Sequence, residues 1–306
     1  MKVLIIGFGS IAKKHCIALQ RMGIEVAVVS KSITQAELQE YSINLFYRLL
    51  EEVPLDQFEF FIIANITSSH YDTLKELDKK IQGKTILVEK PLFEKTLRFQ
   101  STHNDIFIAY LLRFNPIITA LKELLATEKL YFANLLCNSY LPTWRQSDYT
   151  HSYSAKKELG GGVLLDLSHE LDLAFFLFGD LRLDFAQQEK ISELQINSDD
   201  FVFIALSHKT SNTFKVHIQL DYFSKFSQRY INIHTTEKSF KADLLLNEIQ
   251  IYTKEGKKEI IPFESDTITT LQKMHEKLLQ KDEKLCTLKE ALNVLKLCDE
   301  IRERYG

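Results

Sequence analysis

Lys2-Val3-Leu4-Ile5-Ile6-Gly7-Phe8-Gly9-Ser10-Ile11-Ala12 decides the fold. The aliphatic, β-branched run from Lys2 to Ile6 reads as a buried strand. The residues after it spell G-x-G-x-x-A, and a helical pattern continues through Ile11, His15, Ala18 and Leu19. Between a strand and a helix, each small residue has its own job. The first Gly makes the tight turn, the second lets a pyrophosphate approach the backbone, and the third packs helix on strand. The helix N-terminus then offers its free amides to the pyrophosphate. A second aliphatic run, Glu25-Val26-Ala27-Val28-Val29, follows as the next strand. Gly7, Phe8, Gly9, Ser10 and Ile11 are therefore expected to hold a dinucleotide. An empty scaffold of the same fold is the alternative.

At the end of the second strand an NAD enzyme usually carries Asp or Glu for the ribose hydroxyls. Here the residues are Ser30-Lys31-Ser32. A hydroxyl and a cation suit a 2′-phosphate better, so the expected cofactor is NAD(P), with NADP favoured. A solvated surface role for Lys31 stays open.

The alternation of strand and helix continues. Residues 58–64 read as a buried strand, 65–69 as a loop, 70–81 as an amphipathic helix, and 85–89 as a strand running into Lys90-Pro91. Residues 105–110 read as a further strand. This order implies a parallel sheet with helices on both faces. After a helix over 117–125 the character changes to β-type segments at 130–136, 201–207, 213–222, 230–235 and 249–252. In the 213–222 segment Phe214, Val216, Ile218, Leu220 and Tyr222 share one face, and Lys215, His217, Gln219 and Asp221 the other. The expected fold class is α/β. A Rossmann domain with a doubly wound parallel sheet spans 1–116. An α+β domain with an open, mainly antiparallel sheet spans 117–306. The amphipathic C-terminal helix over 287–304 is free to pack back on the first domain.

Gly160-Gly161-Gly162 opens a second informative stretch, read as one mostly apolar helix over 163–178 stopped by Gly179. Asp166, His169 and Asp172 recur every third residue and would form one polar stripe on it. Buried carboxylates and an imidazole must pair or line a cavity. A satisfied structural network and a catalytic site both fit, and either Asp166 or Asp172 could serve the imidazole.

The chain has 306 residues, 45% hydrophobic and 26% charged, which is ordinary for a globular protein of one large or two typical domains. A net charge of -3, without a basic cluster, argues against a nucleic-acid partner. No apolar run reaches membrane-spanning length. No signal peptide is read, and Cys16, Cys137, Cys286 and Cys298, with no C-x-x-C spacing, suit a reduced cytoplasmic protein. No ligand cluster accompanies His169-x-x-Asp172, so no metal is expected.

Taken together these pieces resemble the glucose–fructose oxidoreductase / inositol dehydrogenase (Gfo/Idh/MocA) family over nearly the whole chain. The resemblance rests on Gly7 to Ala12, Ala64 to His70, Glu89-Lys90-Pro91, Arg113-Phe114-Asn115-Pro116, the glycine-led segment with Asp166 and His169, and the C-terminal helix. Residues 140–145, with Trp144 and Arg145, together with Asp148-Tyr149 and Ser152-Tyr153-Ser154, are similar to a subgroup linked to bacterial surface-sugar pathways. Asp166 and His169 are three apart where the family usually has four.

The resemblance implies hydride transfer between NAD(P) and a hydroxyl or keto group of a sugar or nucleotide-linked sugar. It implies that Lys90 polarises the reacting oxygen, that His169 is the acid or base, and that Asp166 orients substrate or imidazole. Ser30, Lys31, Asn65, Thr67, His70, Glu89 and Lys90 would join the fingerprint residues around the cofactor. Arg113, Trp144, Arg145, Asp166 and His169 would contact substrate. Lys90 falls in the first domain and His169 in the second, so a shared substrate would occupy the cleft between them. A homo-oligomer formed through the open sheet is expected. The alternatives are a reductase of another small carbonyl compound and a non-catalytic NAD(P)H or sugar sensor.

Overall fold

The aliphatic runs read from sequence form the centre of a parallel sheet. In a computed structural model, residues 1–101 and 103–305 are described, residue 212 by its backbone alone. The chain divides into two units: Met1–Phe114 with Asp266–Leu295, and Asn115–Ser265 with the residues from Lys296 onward. The first unit therefore takes 266–295 as well, where a single boundary after 116 was expected.

The first unit begins β1 (Lys2–Ile6), α1 (Ser10–Arg21), β2 (Glu25–Val29), α2 (Gln35–Glu40), β3 (Leu45–Tyr47), β4 (Phe60–Ile63), α3 (His70–Lys80), β5 (Thr85–Val88) and β6 (Asp105–Ile108). In the second unit follow α4 (Pro116–Leu125), β7 (Leu130–Tyr140), α5 (Val163–Asp166), α6 (His169–Phe178), β8 (Leu181–Glu189), β9 (Phe201–His208), β10 (Ser211–Asp221), β11 (Phe223–Thr235), β12 (Lys238–Asp243), β13 (Glu248–Thr253) and β14 (Lys258–Pro262). The chain then supplies α7 (Thr267–Leu279) and β15 (Cys286–Thr287) to the first unit and ends in α8 (Leu288–Tyr305).

The first sheet runs β15-β6-β5-β4-β1-β2-β3, parallel except for β15. From β1 the chain moves outward to β2 and β3, then returns to β4 on the other side of β1. That reversal is where doubly wound sheets open a ligand crevice at their carboxyl ends. Leu271, Met274 and Leu278 of α7 enter the same core as Ala12, Cys16 and Leu19 of α1.

The second sheet runs β14-β13-β12-β11-β7-β10-β9-β8, antiparallel except for the β7–β10 pair. In β10 the expected alternation is present through Leu220: Phe214, Val216, Ile218 and Leu220 are buried, while Lys215 is exposed and His217 and Gln219 are half-buried; Asp221, expected on the polar face, is buried at the strand's end. Helices α4, α5 and α6 lie against this sheet.

One expectation fails. Residues 163–178 are not one helix: α5 ends at Asp166 and α6 starts at His169. The amides of Ser168 and Glu170 bond three residues back, to the carbonyls of Leu165 and Leu167. Such a step is 3₁₀-like, and a three-residue spacing is its own repeat. The sequence pattern is therefore the same with or without the break. Gly179 stops α6 with a φ of 75°.

Candidate active site

At the sheet reversal, the turn after β1 lies against the end of β4. Gly7 has a φ of +100°, and a Cβ there would stand 2.6 Å from the Ala64 carbonyl oxygen and the Asn65 amide nitrogen. Only glycine fits both constraints. A Cβ at Gly9 would meet nothing within 4 Å. Gly9 and Ser10 are exposed, α1 has no side-chain N-cap, and its first turn carries no acidic residue. A bare helix N-terminus facing open space fits a pyrophosphate, whose charge would meet the positive end of the helix dipole. Phe8 packs edge-on against Tyr41 at 5.5 Å, beneath the Lys13 ammonium. Ile11 is half-buried against the same core.

Beyond β2, Ser30 is buried and Lys31 is exposed. The Ser30 and Ser32 hydroxyls lie 3.4 Å apart. Sequence reasoning missed Arg48. Its Nη1 donates to the carbonyls of Lys31 and Ile33 at 3.0 Å and of Ser30 at 3.4 Å. This brings a second cation to the loop. No local signal marks Arg48, because it follows β3, a strand of three residues.

Beyond β4, the Asn65 Nδ2 donates to Thr73 Oγ1 at 2.9 Å, and Thr67 opens a short 3₁₀ turn before α3. His70 is buried, with Nδ1 3.1 Å from the Pro91 carbonyl and 3.2 Å from that of Leu92, and Nε2 3.2 Å from that of Asn65. Burial holds its pKa below the ordinary histidine range. Its ring thus ties the loop after β4 to the segment after β5 and is spent on backbone. Beyond β5, Glu89 is buried and accepts from His15 Nε2 at 2.7 Å and from the Lys90 amide at 3.2 Å. Lys90 is half-buried, and the Lys90–Pro91 peptide is cis.

Arg113 does not offer its guanidinium to a substrate. It is 1% exposed, and Nη1 bonds Glu290 Oε1 at 3.0 Å and the Lys284 carbonyl at 3.4 Å. The pair fastens 111–114 to the start of α8 within the first unit.

In the second unit the glycine triplet shapes the neighbourhood of Asp166. A Cβ at Gly161 would lie 2.1 Å from the Tyr153 carbonyl oxygen and 2.7 Å from that of Ser154. The 153–156 turn can therefore press against the backbone leading into α5. At Gly162 a Cβ would strike Asp199 Oδ1 at 2.2 Å, and that carboxylate caps α5 through the Leu164 amide at 2.9 Å. Desolvation raises the pKa of Asp199. Asp166, at the end of α5, then receives three hydroxyls: Tyr153 on Oδ1, and Ser154 at 2.7 Å and Tyr222 at 2.9 Å on Oδ2. Burial and the Asp166 charge push both tyrosines well above the ordinary phenol range, so they act as donors. Trp144 packs edge-on to Tyr222 at 5.3 Å, and the Arg145 guanidinium lies 5.3 Å from the Tyr153 ring. Asp166, Trp144 and Arg145, named separately from sequence, thus meet through two tyrosines. His169 opens α6 and is buried, as is Asp172 one turn on. Next to His169, Glu170 accepts from Arg229 Nε at 2.7 Å.

Among the described residues, no group of three or more His, Cys, Asp or Glu is arranged to hold a metal, and no helix is long and apolar enough to cross a membrane.

Comparison with curated protein sequences finds no match. Solved structures align over nearly the whole length. UDP-N-acetylglucosamine 3-dehydrogenase GnnA from Acidithiobacillus ferrooxidans matches with a TM-score of 0.80 at 15% identity, covering 100% of this chain and 97% of that one. Levoglucosan dehydrogenase in complex with NADH gives 0.82 at 16%, covering 99% and 96%. An oxidoreductase from Agrobacterium radiobacter in complex with NAD+, L-tartaric acid and magnesium gives 0.79 at 17%, covering 99% and 95%. At such identities the likeness is one of fold. Family models settle the rest: "Oxidoreductase family, NAD-binding Rossmann fold" matches residues 1–107, and "Oxidoreductase family, C-terminal alpha/beta domain" matches residues 136–304. The chain belongs to the Gfo/Idh/MocA family of NAD-binding oxidoreductases.

Proposed function

We propose that this enzyme oxidises a secondary hydroxyl of a sugar or nucleotide-linked sugar, or reduces the corresponding ketone. The observation that carries the reading is the bare α1 N-terminus at Gly9 with the Glu89-Lys90 turn on the same carboxyl edge of the sheet. Bound NAD(P)+ supplies a hydride acceptor. The chain supplies the rest. Gly7 to Ile11 cradle the pyrophosphate, with Asn65 and Thr67 beside it. Lys90 donates a hydrogen bond to the reacting oxygen and stabilises its developing negative charge. His169 takes the hydroxyl proton, leaving a carbonyl, and returns it when the reaction runs backward. Asp166 holds Tyr153 and Tyr222, and through them Trp144 and Arg145, as a wall for the sugar. The sugar dehydrogenases among the structural neighbours support the substrate class. Incubation with UDP-N-acetylglucosamine, levoglucosan and a panel of free hexoses, read as formation of reduced cofactor, tests it. No turnover with any sugar, despite cofactor binding, would favour a sensor.

NADP is the proposed preference, supported by Ser30, Lys31 and the anchored Arg48. The expected outcome is tighter binding of NADPH than NADH, reversed in Ser30→Asp. Equal affinities, or no reversal, would remove the argument. A homo-oligomer through the face of the second sheet that carries Phe132, Phe203 and His217 is proposed on its aromatic content. These rings cluster there, with ring centroids 4.9 and 5.2 Å from His217.

A further inference from the structure

Three side chains from distant parts of the first unit form a chain out of contact with water. Glu89, His15 and His275 are 4%, 0% and 1% exposed. His15 Nε2 lies 2.7 Å from Glu89 Oε1, and His15 Nδ1 lies 2.9 Å from His275 Nε2. The second oxygen of Glu89 accepts from the Lys90 amide at 3.2 Å. Glu89 directly follows β5, His15 stands in the fingerprint helix α1, and His275 in α7. His275 Nδ1 is buried with no partner among the described residues.

These contacts favour one order of protons. Were His15 to donate from Nδ1, His275 would carry its proton on Nδ1, a buried donor with no acceptor, at a cost of about 1–3 kcal/mol. The reverse order leaves only an unused lone pair there, the milder defect. His275 Nε2–H then donates to His15 Nδ1, and His15 Nε2–H donates to Glu89. Burial and the neighbouring His15 hold His275 neutral, well below the ordinary histidine range. Both imidazoles thus aim their N–H groups toward one carboxylate, whose other oxygen holds the Lys90 amide.

We propose that His15 and His275 are positioning residues that fix Glu89, and through it the Lys90 turn, against the nicotinamide end of the dinucleotide. This rests on the reading that the Glu89-Lys90 turn meets that end. ADP-ribose shares every part of NAD+ except the nicotinamide, so calorimetric affinities for the two ligands isolate the effect without a substrate. His275→Met should weaken NAD+ binding about fivefold, the size of one weakened hydrogen bond, and leave ADP-ribose unchanged. His275→Gln keeps an N–H near the Nε2 position and should restore NAD+ affinity. Parallel losses of both ligands, no loss of either, or equal behaviour of Met and Gln would overturn the proposal. Glu89→Ala separates the layers. A selective NAD+ loss there but not in His275→Met sinks the relay and spares the reading; no selective loss in Glu89→Ala sinks both. Should His275→Met fail to fold, ¹⁵N NMR of the wild-type histidines decides. Protonated Nε2 and bare Nδ1 in both rings supports the chain, and a protonated His275 Nδ1 overturns it.

Discussion

Gly7 and Gly9 stand two residues apart and tolerate a side chain in opposite ways. At Gly7 the added Cβ strikes the Ala64–Asn65 backbone in a positive-φ conformation, so Gly7→Ala should cost about 2–4 kcal/mol in urea unfolding. At Gly9 the Cβ enters open space, so Gly9→Val should keep its melting temperature and lose NAD(P)H binding. A folded Gly9→Val with unchanged affinity would remove the nucleotide site. Asp166 invites a similar test. Its removal takes away the carboxylate to which three hydroxyls donate, that of the fully buried Tyr222 among them, so Asp166→Ala should lose about 2–4 kcal/mol by denaturant titration. For the proposed chemistry, Lys90→Ala and His169→Ala should each lower kcat on the order of 10²-fold with cofactor affinity largely kept. Since both serve one step, the double variant should be far less damaged than the product of the single losses. Near-wild-type turnover in either single variant would exclude the constellation.

At the scale of elements, α7 carries a pH dependence. Unfolded, His275 takes up a proton near 6.5; folded, its pKa lies well below that value. The unfolded state then binds more protons as the pH drops below about 6.5, so stability falls with falling pH across that range. His275→Gln should flatten this loss in urea titrations from about pH 7 to pH 5. Equal slopes in variant and wild type would refute the assignment. The elements also show what a sequence can and cannot reveal. β1 and β2 were legible because a buried parallel strand is a continuous aliphatic run with few other readings. The 3₁₀ step at Leu167–Ser168 was not, because Asp166, His169 and Asp172 keep their spacing on either path. Helix α7 does announce itself through Leu271, Met274 and Leu278, an apolar stripe with His275 on its edge. His15, too, stands on the buried face of α1. What no local pattern holds is that His15 and His275 touch across 260 positions, or that Tyr222 reaches Asp166 across 56.

Over the whole molecule, the order of strands, helices and motifs carried the fold class, since the G-x-G-x-x-A turn and the alternating segments leave few topologies. The second sheet pairs β7 with β10 in parallel, a detail that composition does not encode. Its aromatic face gives a further prediction. Phe203→Glu puts a charge into the Phe132–His217 cluster and should shift the enzyme to monomer by light scattering. A wild-type monomer, or an unshifted variant, would rule out this face as the interface.

The composition of the first unit has a consequence for how the protein is made. Residues 266–295 belong with residues 1–114, so a ribosome finishes the whole second sheet before it delivers α7 and β15. Until then, Ala12, Cys16 and Leu19 lack the cover of Leu271, Met274 and Leu278, and His15 has no His275 beside it. The nascent nucleotide-binding unit must therefore wait, incompletely covered, through about 150 residues of synthesis, on the order of 10 s at common elongation rates.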